Sequence, residues 1–295
     1  MKRIPLLLLL ALLLTGCAAQ PQPAQIAATT LPVYEFTARL CENTPLTVTR
    51  LVTEQVSCLH DYSLNMRQVK AAEAAETIVI SGGGLEDFMA ELLTEDKVID
   101  ASCQGIDFHI SGHSHDHGHG DHHMDDGHHH ESDPHIWLSP DNAMIMVNNI
   151  RTGLSERYPQ YDSIFAANEE ALLSELEELH RFGHDLLDDL SCRELITFHD
   201  GFGYLADSFH LTILEAVEEE SGSEASAKEL IHLIELVEHH QLPAIFTEVS
   251  GSESAAGVIS RETGAKAFRL DMAMAGDSYF DAMYHNLNTI KEALQ

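Results

Sequence analysis

The stretch QYDSIFAANEEALLSELEELHRFGHDLLDDL, running from Gln160 to Leu190, decides the reading of the fold. Apart from Gly183 it holds no Gly or Pro, and Leu172, Leu176, Leu179, Leu186 and Leu187 recur at helical spacing, so the pattern predicts one long helix. Short apolar runs alternate with helix-period segments on both sides of it. Upstream, Leu46–Val52, Thr77–Ser81 and Lys97–Asp100 read as strands, with helices over Leu64–Ala75 and Leu85–Thr94 between them. Ser139 and Pro140 read as an N-cap and first helical residue, opening a helix toward Tyr158. Downstream, Glu194–Phe198, Leu211–Ala216, Ala244–Thr247 and Lys266–Leu270 read as strands, with helices between and after them. The expected fold is α/β: two Rossmann-like lobes joined by one long rigid helix, with a cleft between them. In such sheets ligands gather at the carboxyl ends of the strands.

The chain has 295 residues, long enough for two cores, and its 44% hydrophobic content can fill them. Sixteen Lys and Arg stand against 48 Asp and Glu, a net charge of -32, which repels nucleic acid and attracts cations. Histidine is over-represented. Of 20 His, ten fall in one His-, Asp- and Gly-rich segment: His109, His113, His115, His117, His119, His122, His123, His128, His129 and His130. That segment lacks the apolar residues needed to build a core, so it reads as a loop inserted into the first lobe.

At the N-terminus Lys2 and Arg3 precede the apolar run Leu6–Leu14, a signal-peptide pattern too short to span a bilayer. The run ends in Leu14-Thr15-Gly16-Cys17, which resembles a bacterial lipobox with Cys17 as the lipidated residue. The expected organisation is therefore a signal segment over 1–16, a lipidated cysteine and tether over 17–28, and a first lobe over 29–158 with its His-rich loop at 109–131. A linking helix over 159–190 and a second lobe over 191–295 complete it. Four other cysteines remain in a compartment that permits disulfides, and Cys41 and Cys58 bracket a short strand, making them the preferred pair.

Residues of metal-ligand type stand at the strand ends: His199 after Phe198, Glu248 after Thr247 and Asp271 after Leu270, with His60 and His135 in the first lobe. Three imidazoles and a carboxylate form a four-coordinate N/O set suited to zinc. Carboxylates lie close in sequence to each imidazole: Asp61 beside His60, Asp133 near His135 and Asp200 beside His199. A ligating His usually donates its other ring proton to such an acceptor.

The segments Asp133-Pro134-His135-Ile136-Trp137-Leu138-Ser139-Pro140, Phe198-His199-Asp200-Gly201-Phe202-Gly203-Tyr204-Leu205 and Gly83-Gly84-Leu85-Glu86-Asp87-Phe88 resemble those of the zinc and manganese receptors of ABC importers. The resemblance covers nearly the whole mature chain. It implies a metal site in the interlobe cleft, with His60, His135, His199 and Asp271 as ligands. The family's Pro-His-x-Tyr-Glu-Pro appears as Leu59-His60-Asp61-Tyr62-Ser63-Leu64, and its Leu-Asp-Pro as Leu270-Asp271-Met272, which leaves Glu248 as an alternative fourth ligand. Histidine at 199, where many manganese-selective members carry Glu, favours Zn2+ over Mn2+.

The implied role is non-enzymatic: a monomeric lipoprotein outside the cytoplasm that gives zinc to an ABC permease and its ATPase. A manganese receptor of the same family, a surface zinc-buffering or adhesive lipoprotein, and a zinc hydrolase are the competing readings. The hydrolase lacks a His-Glu-x-x-His motif, and the buffering reading leaves the folded lobes without a task.

Overall fold

The computed structural model describes residues 25–56, 59, 62–109, 132–217, 226–249 and 254–295. Cys17, Cys58, His60 and Asp61 lie outside the described residues, as do His113, His115, His117, His119, His122, His123, His128, His129 and His130.

Two four-stranded sheets, parallel throughout, form two α/β lobes. The first is built from β1 (Ile26–Ala28), β2 (Val48–Arg50), β3 (Thr77–Ile80) and β4 (Val98–Asp100), in the order β2-β1-β3-β4. The second uses β5 (Glu194–Thr197), β6 (Thr212–Ala216), β7 (Ala244–Glu248) and β8 (Lys266–Leu270), in the equivalent order β6-β5-β7-β8. In each sheet the strand order reverses beside the first strand, between β1 and β3 and between β5 and β7. A crevice opens outside the carboxyl ends at such a point. β3 and β7 are buried along their whole length, as expected of central parallel strands covered on both faces.

The helices are α1 (Leu31–Leu40), α2 (Met66–Ala74), α3 (Pro140–Arg157), α4 (Asp162–Leu187), α5 (Gly203–Ser208), α6 (Ala227–His240), α7 (Ser254–Thr263) and α8 (Tyr279–Leu294). Ser139 caps α3, its hydroxyl accepting from the Asn142 N–H, with Pro140 in the first turn. Asn65 with Gln68, and Ser226 with Glu229, form capping boxes that start α2 and α6. The long helix α4 joins the lobes, burying Phe165, Leu172, Leu176, Leu179 and Leu187.

The lobes share one apolar core that runs from Ile26 and Phe36 through Trp137 and the α4 leucines to Met272 and Tyr279. Hydrogen bonds cross with it. The Trp137 indole N–H donates to the Met272 carbonyl at 2.7 Å, the Tyr279 hydroxyl to the Trp137 carbonyl at 2.8 Å, and the Leu31 N–H to the Met274 carbonyl at 3.1 Å. An interface this apolar favours a fixed relation between lobes over free hinge motion.

Two expectations change. The tether was expected to reach residue 28, but Ile26–Ala28 form the central strand β1, paired with both β2 and β3 and fully buried. Three small or apolar residues are too short a run to stand out from an Ala-rich tether. The helix expected over Leu85–Thr94 is instead a pair of 3-10 turns over Asp87–Leu92, broken at Met89 where the backbone leaves helical geometry. Cys41 stands at the end of α1, and its expected partner Cys58 lies outside the described residues. The Cys41 side chain is packed into the apolar core, and burial pushes the thiol up to about 12, which makes it inert.

Candidate metal centre

His135 sits in the turn before α3, and His199 follows β5 at the point where the second sheet's order reverses. Their Nε2 atoms face each other at 3.3 Å. The opposite nitrogen of each ring meets a carboxylate: His135 Nδ1 lies 2.7 Å from Asp133 Oδ1, and His199 Nδ1 lies 2.6 Å from Glu248 Oε1. A carboxylate oxygen accepts, so hydrogen bonding assigns the proton to Nδ1 on both rings and leaves a lone pair on both Nε2 atoms. Two lone pairs this close could supply half of a metal shell. Nitrogen ligands at zinc's tetrahedral bond lengths stand about 3.3 Å apart, which matches the observed separation.

The supporting structure fixes both rings. Asp133 Oδ1 also accepts from the His135 backbone N–H at 2.9 Å, and both residues are buried. Glu248, at the carboxyl end of β7, is buried as well. Gly201 lies against both imidazoles: a Cβ there would come within 2.6 Å of His199 Cδ2 and 2.9 Å of His135 Nδ1. Any side chain would push the rings out of position.

Asp271 follows β8 on the same side of the sheet. Its backbone is clamped by buried Asn286 of α8, whose amide accepts from the Asp271 N–H and donates to the Asp271 carbonyl, each at 2.7 Å. The carboxylate accepts from the Ala273 N–H at 2.8 Å. Asp271 and Glu248 line one small recess together with Gln55, Val56 and Met272. Gln55 and Val56, which follow β2 in the first lobe, thus meet the second lobe at this recess. Among the described residues no group of three or more His, Cys, Asp or Glu is gathered closely enough to hold a metal.

His109, expected as part of the His-rich loop, is anchored at its root. Its ring stacks on Tyr204 of α5 at 4.0 Å, its backbone N–H donates to the Tyr204 hydroxyl at 2.9 Å, and its Nε2 lies 3.2 Å from Asp207 Oδ2. The Tyr204 hydroxyl donates in turn to the Asp133 carbonyl at 2.9 Å, and the Asp133 N–H donates to the His109 carbonyl. Burial pushes this phenol up to about 12, so it stays a hydroxyl able to do both. The two roots of the insertion are therefore pinned together beside His135.

Of the residues expected from sequence, the structure brings His135 and His199 together, sets Glu248 against His199, and puts Asp271 with Glu248 on one recess, but the orienting partners were placed unevenly. Asp133 does orient His135. For His199 the orienting group is Glu248, from the next strand of the sheet, and not the adjacent Asp200. The signal was parallel pairing: β5 and β7 are neighbours, so their ends lie side by side.

Residues 26–293 match the family model for ZnuA, the zinc-uptake complex component A periplasmic protein. The zinc-binding lipoprotein AdcA of Streptococcus pneumoniae is 31% identical, over 99% of this chain and 61% of its own length. The chain thus spans about three fifths of that relative. Among solved structures, ZnuA superposes with a TM-score of 0.76 at 26% identity, over 92% of this chain and 100% of that one. The Zn(II)-bound ZnuA-like domain of S. pneumoniae AdcA gives 0.74 at 26%, over 91% and 98%. Such matches define the class, the ZnuA-like metal-binding proteins. Within that class, the chain belongs to the ZnuA family.

Proposed function

We propose that this chain captures Zn(II) outside the cytoplasm, held to the membrane through a lipidated Cys17, and delivers it as a monomer to an ABC permease driven by its ATPase. His135 and His199 bind the ion, His60 and Asp271 complete the shell, and Asp133 and Glu248 orient the imidazoles. The carrying observation is the convergence of the two Nε2 atoms at 3.3 Å, each ring backed by a buried carboxylate. Zinc fits this donor set better than manganese because imidazole is the softer ligand. The zinc-bound AdcA domain supports the same cargo. The histidines of the insertion collect zinc at low affinity near the site.

Zinc titration of the purified chain tests the reading. It predicts one tight equivalent lost in both His135→Ala and His199→Ala, and a melting temperature that falls on chelation, because a ligand bound only by the folded state adds RT ln(1 + [L]/Kd). A melting curve unmoved by verified metal removal would sink it. Zinc-dependent growth of cells lacking the chain, restored by the wild type and not by His199→Ala, tests delivery.

A further inference from the structure

The same geometry occurs a second time, on α4. His180 and His184 stand one helical turn apart, and their Nε2 atoms face each other at 3.0 Å. Each opposite nitrogen meets a carboxylate: His180 Nδ1 lies 3.2 Å from Asp141 Oδ1, in the first turn of α3, and His184 Nδ1 lies 3.1 Å from Asp188 Oδ1. Hydrogen bonding again places both protons on Nδ1 and both lone pairs on Nε2. Two lone pairs at this distance repel unless a proton or a cation lies between them.

The pair is built into the packing. Phe209 forms its floor, with ring centroids 5.9 Å from His180 and 5.4 Å from His184. That ring reaches the helix only because residue 183 is glycine: a Cβ there would lie 2.1 Å from Phe209 Cε1. A mid-helix glycine costs about 1 kcal/mol against alanine, and close approach of the aromatic floor is its reason here. The imidazoles stay about a quarter exposed, 26% and 28%, so an ion has a path in. A third ring, His210, lies 5.6 Å from His184.

We propose that His180 and His184 form a second binding site for a borderline divalent cation, zinc above all, separate from the centre between His135 and His199. Two imidazoles at i and i+4 on one helix face supply adjacent positions of a tetrahedral shell, and carboxylates behind them fix the tautomer. Water fills the remaining positions, since no third protein ligand of the described residues joins the pair. The site is therefore weaker than a four-ligand centre. An ion there would tie α4 to the start of α3 through Asp141.

Crystals of the full chain grown with millimolar zinc, measured at the zinc edge, locate the ion directly. The expected result is an anomalous peak about 2.1 Å from both Nε2 atoms of His180 and His184, in addition to one between His135 and His199. His184→Gln should lose the first and keep the second. Equilibrium dialysis against zinc then excludes binding at crystal concentration only: His184→Gln should bind one weak equivalent fewer than wild type. Asp188→Asn, which keeps both imidazoles, should weaken that equivalent about tenfold. Circular dichroism of the metal-free variants controls for folding. Equal stoichiometry in wild type and His184→Gln, or a peak at His135 and His199 with none on α4, would overturn the proposal and leave a proton-sharing pair. Absence of the peak between His135 and His199 bears on the main site alone.

Discussion

His135 Nε2 lies 3.3 Å from His199 Nε2, although one ring belongs to the turn before α3 and the other to the end of β5. The shared core and the bonds Trp137 to Met272 and Tyr279 to Trp137 hold those elements in register. The imidazoles are thus pre-positioned by folding, and binding does not have to supply the energy of bringing them together.

Loss of either imidazole should therefore cost more than loss of the Asp271 carboxylate. His135→Ala and His199→Ala are expected to weaken zinc by more than the roughly 10–100-fold typical of an orienting group. Asp271→Ala should lose less, since Glu248 lines the same recess and can offer a carboxylate in its place. Competition titration against a chelator of known affinity ranks the three. A His variant with intact affinity would have to be struck from the site.

Glu248→Gln separates orienting from ligating. If Glu248 only accepts the His199 Nδ1 proton, the glutamine carbonyl can replace it after an amide flip, and affinity should fall about tenfold. A drop as large as that of His199→Ala would make Glu248 the fourth ligand.

Gly201→Ala tests the fit around both rings. A methyl at 2.6 Å from His199 Cδ2 and 2.7 Å from Met272 Cε must displace a ring or the Met272 side chain. The expected effect is loss of zinc affinity by tenfold or more with a modest change in metal-free melting temperature. Unchanged affinity would show that zinc binding does not depend on the ring positions Gly201 permits.

The sequence carried the fold because both lobes use strands long and apolar enough to register, such as TIVI and AIFTE, and because α4 keeps one leucine stripe. It failed at β1, where IAA is indistinguishable from an Ala-rich tether without its partners β2 and β3. The site was half legible. Asp133 lies two residues from its imidazole, whereas Glu248 reaches His199 through sheet pairing, which adjacency cannot report. The α4 pair was hidden because His180 and His184 sit in a helix read for its leucines, and their carboxylates come partly from α3.

Glu86 predicts a pH dependence of stability. It is buried beyond β1 and β3, accepting from the Thr29 hydroxyl and the Ser81 and Gly82 N–H groups. Burial outweighs these donors and pushes its carboxyl up to about 7. A carboxyl raised on folding binds more protons in the native state. Its contribution is full below its ordinary value near 4.5 and is lost as pH rises through about 7, a change on the order of 3 kcal/mol. Glu86→Gln cannot titrate, so its melting temperature should gain on wild type between pH 5 and 8 by several degrees. Parallel curves over that range would refute the assignment.

The His-rich insertion should be removable without harm to the main site, because its roots already meet. The Asp133 N–H donates to the His109 carbonyl at 2.9 Å, and Tyr204 holds both residues. Deleting Gly112 to His130 leaves Ile110, Ser111, Glu131 and Ser132 to close the gap, within the three to five residues that bridge adjacent extended segments. The orienting bond from Asp133 to His135 lies outside the deletion and should survive. Removing nine imidazoles at once should abolish several weak zinc equivalents while leaving one tight equivalent bound. Weak ligands tethered beside a site raise the local ion concentration without adding to its equilibrium affinity. The deletion should accordingly slow loading and impair growth chiefly under zinc chelation. Calorimetric titration and stopped-flow zinc binding of the deletion variant, with growth under graded chelator, check each part. Loss of the tight equivalent itself would mean that an imidazole of the insertion belongs to the shell built around His135 and His199.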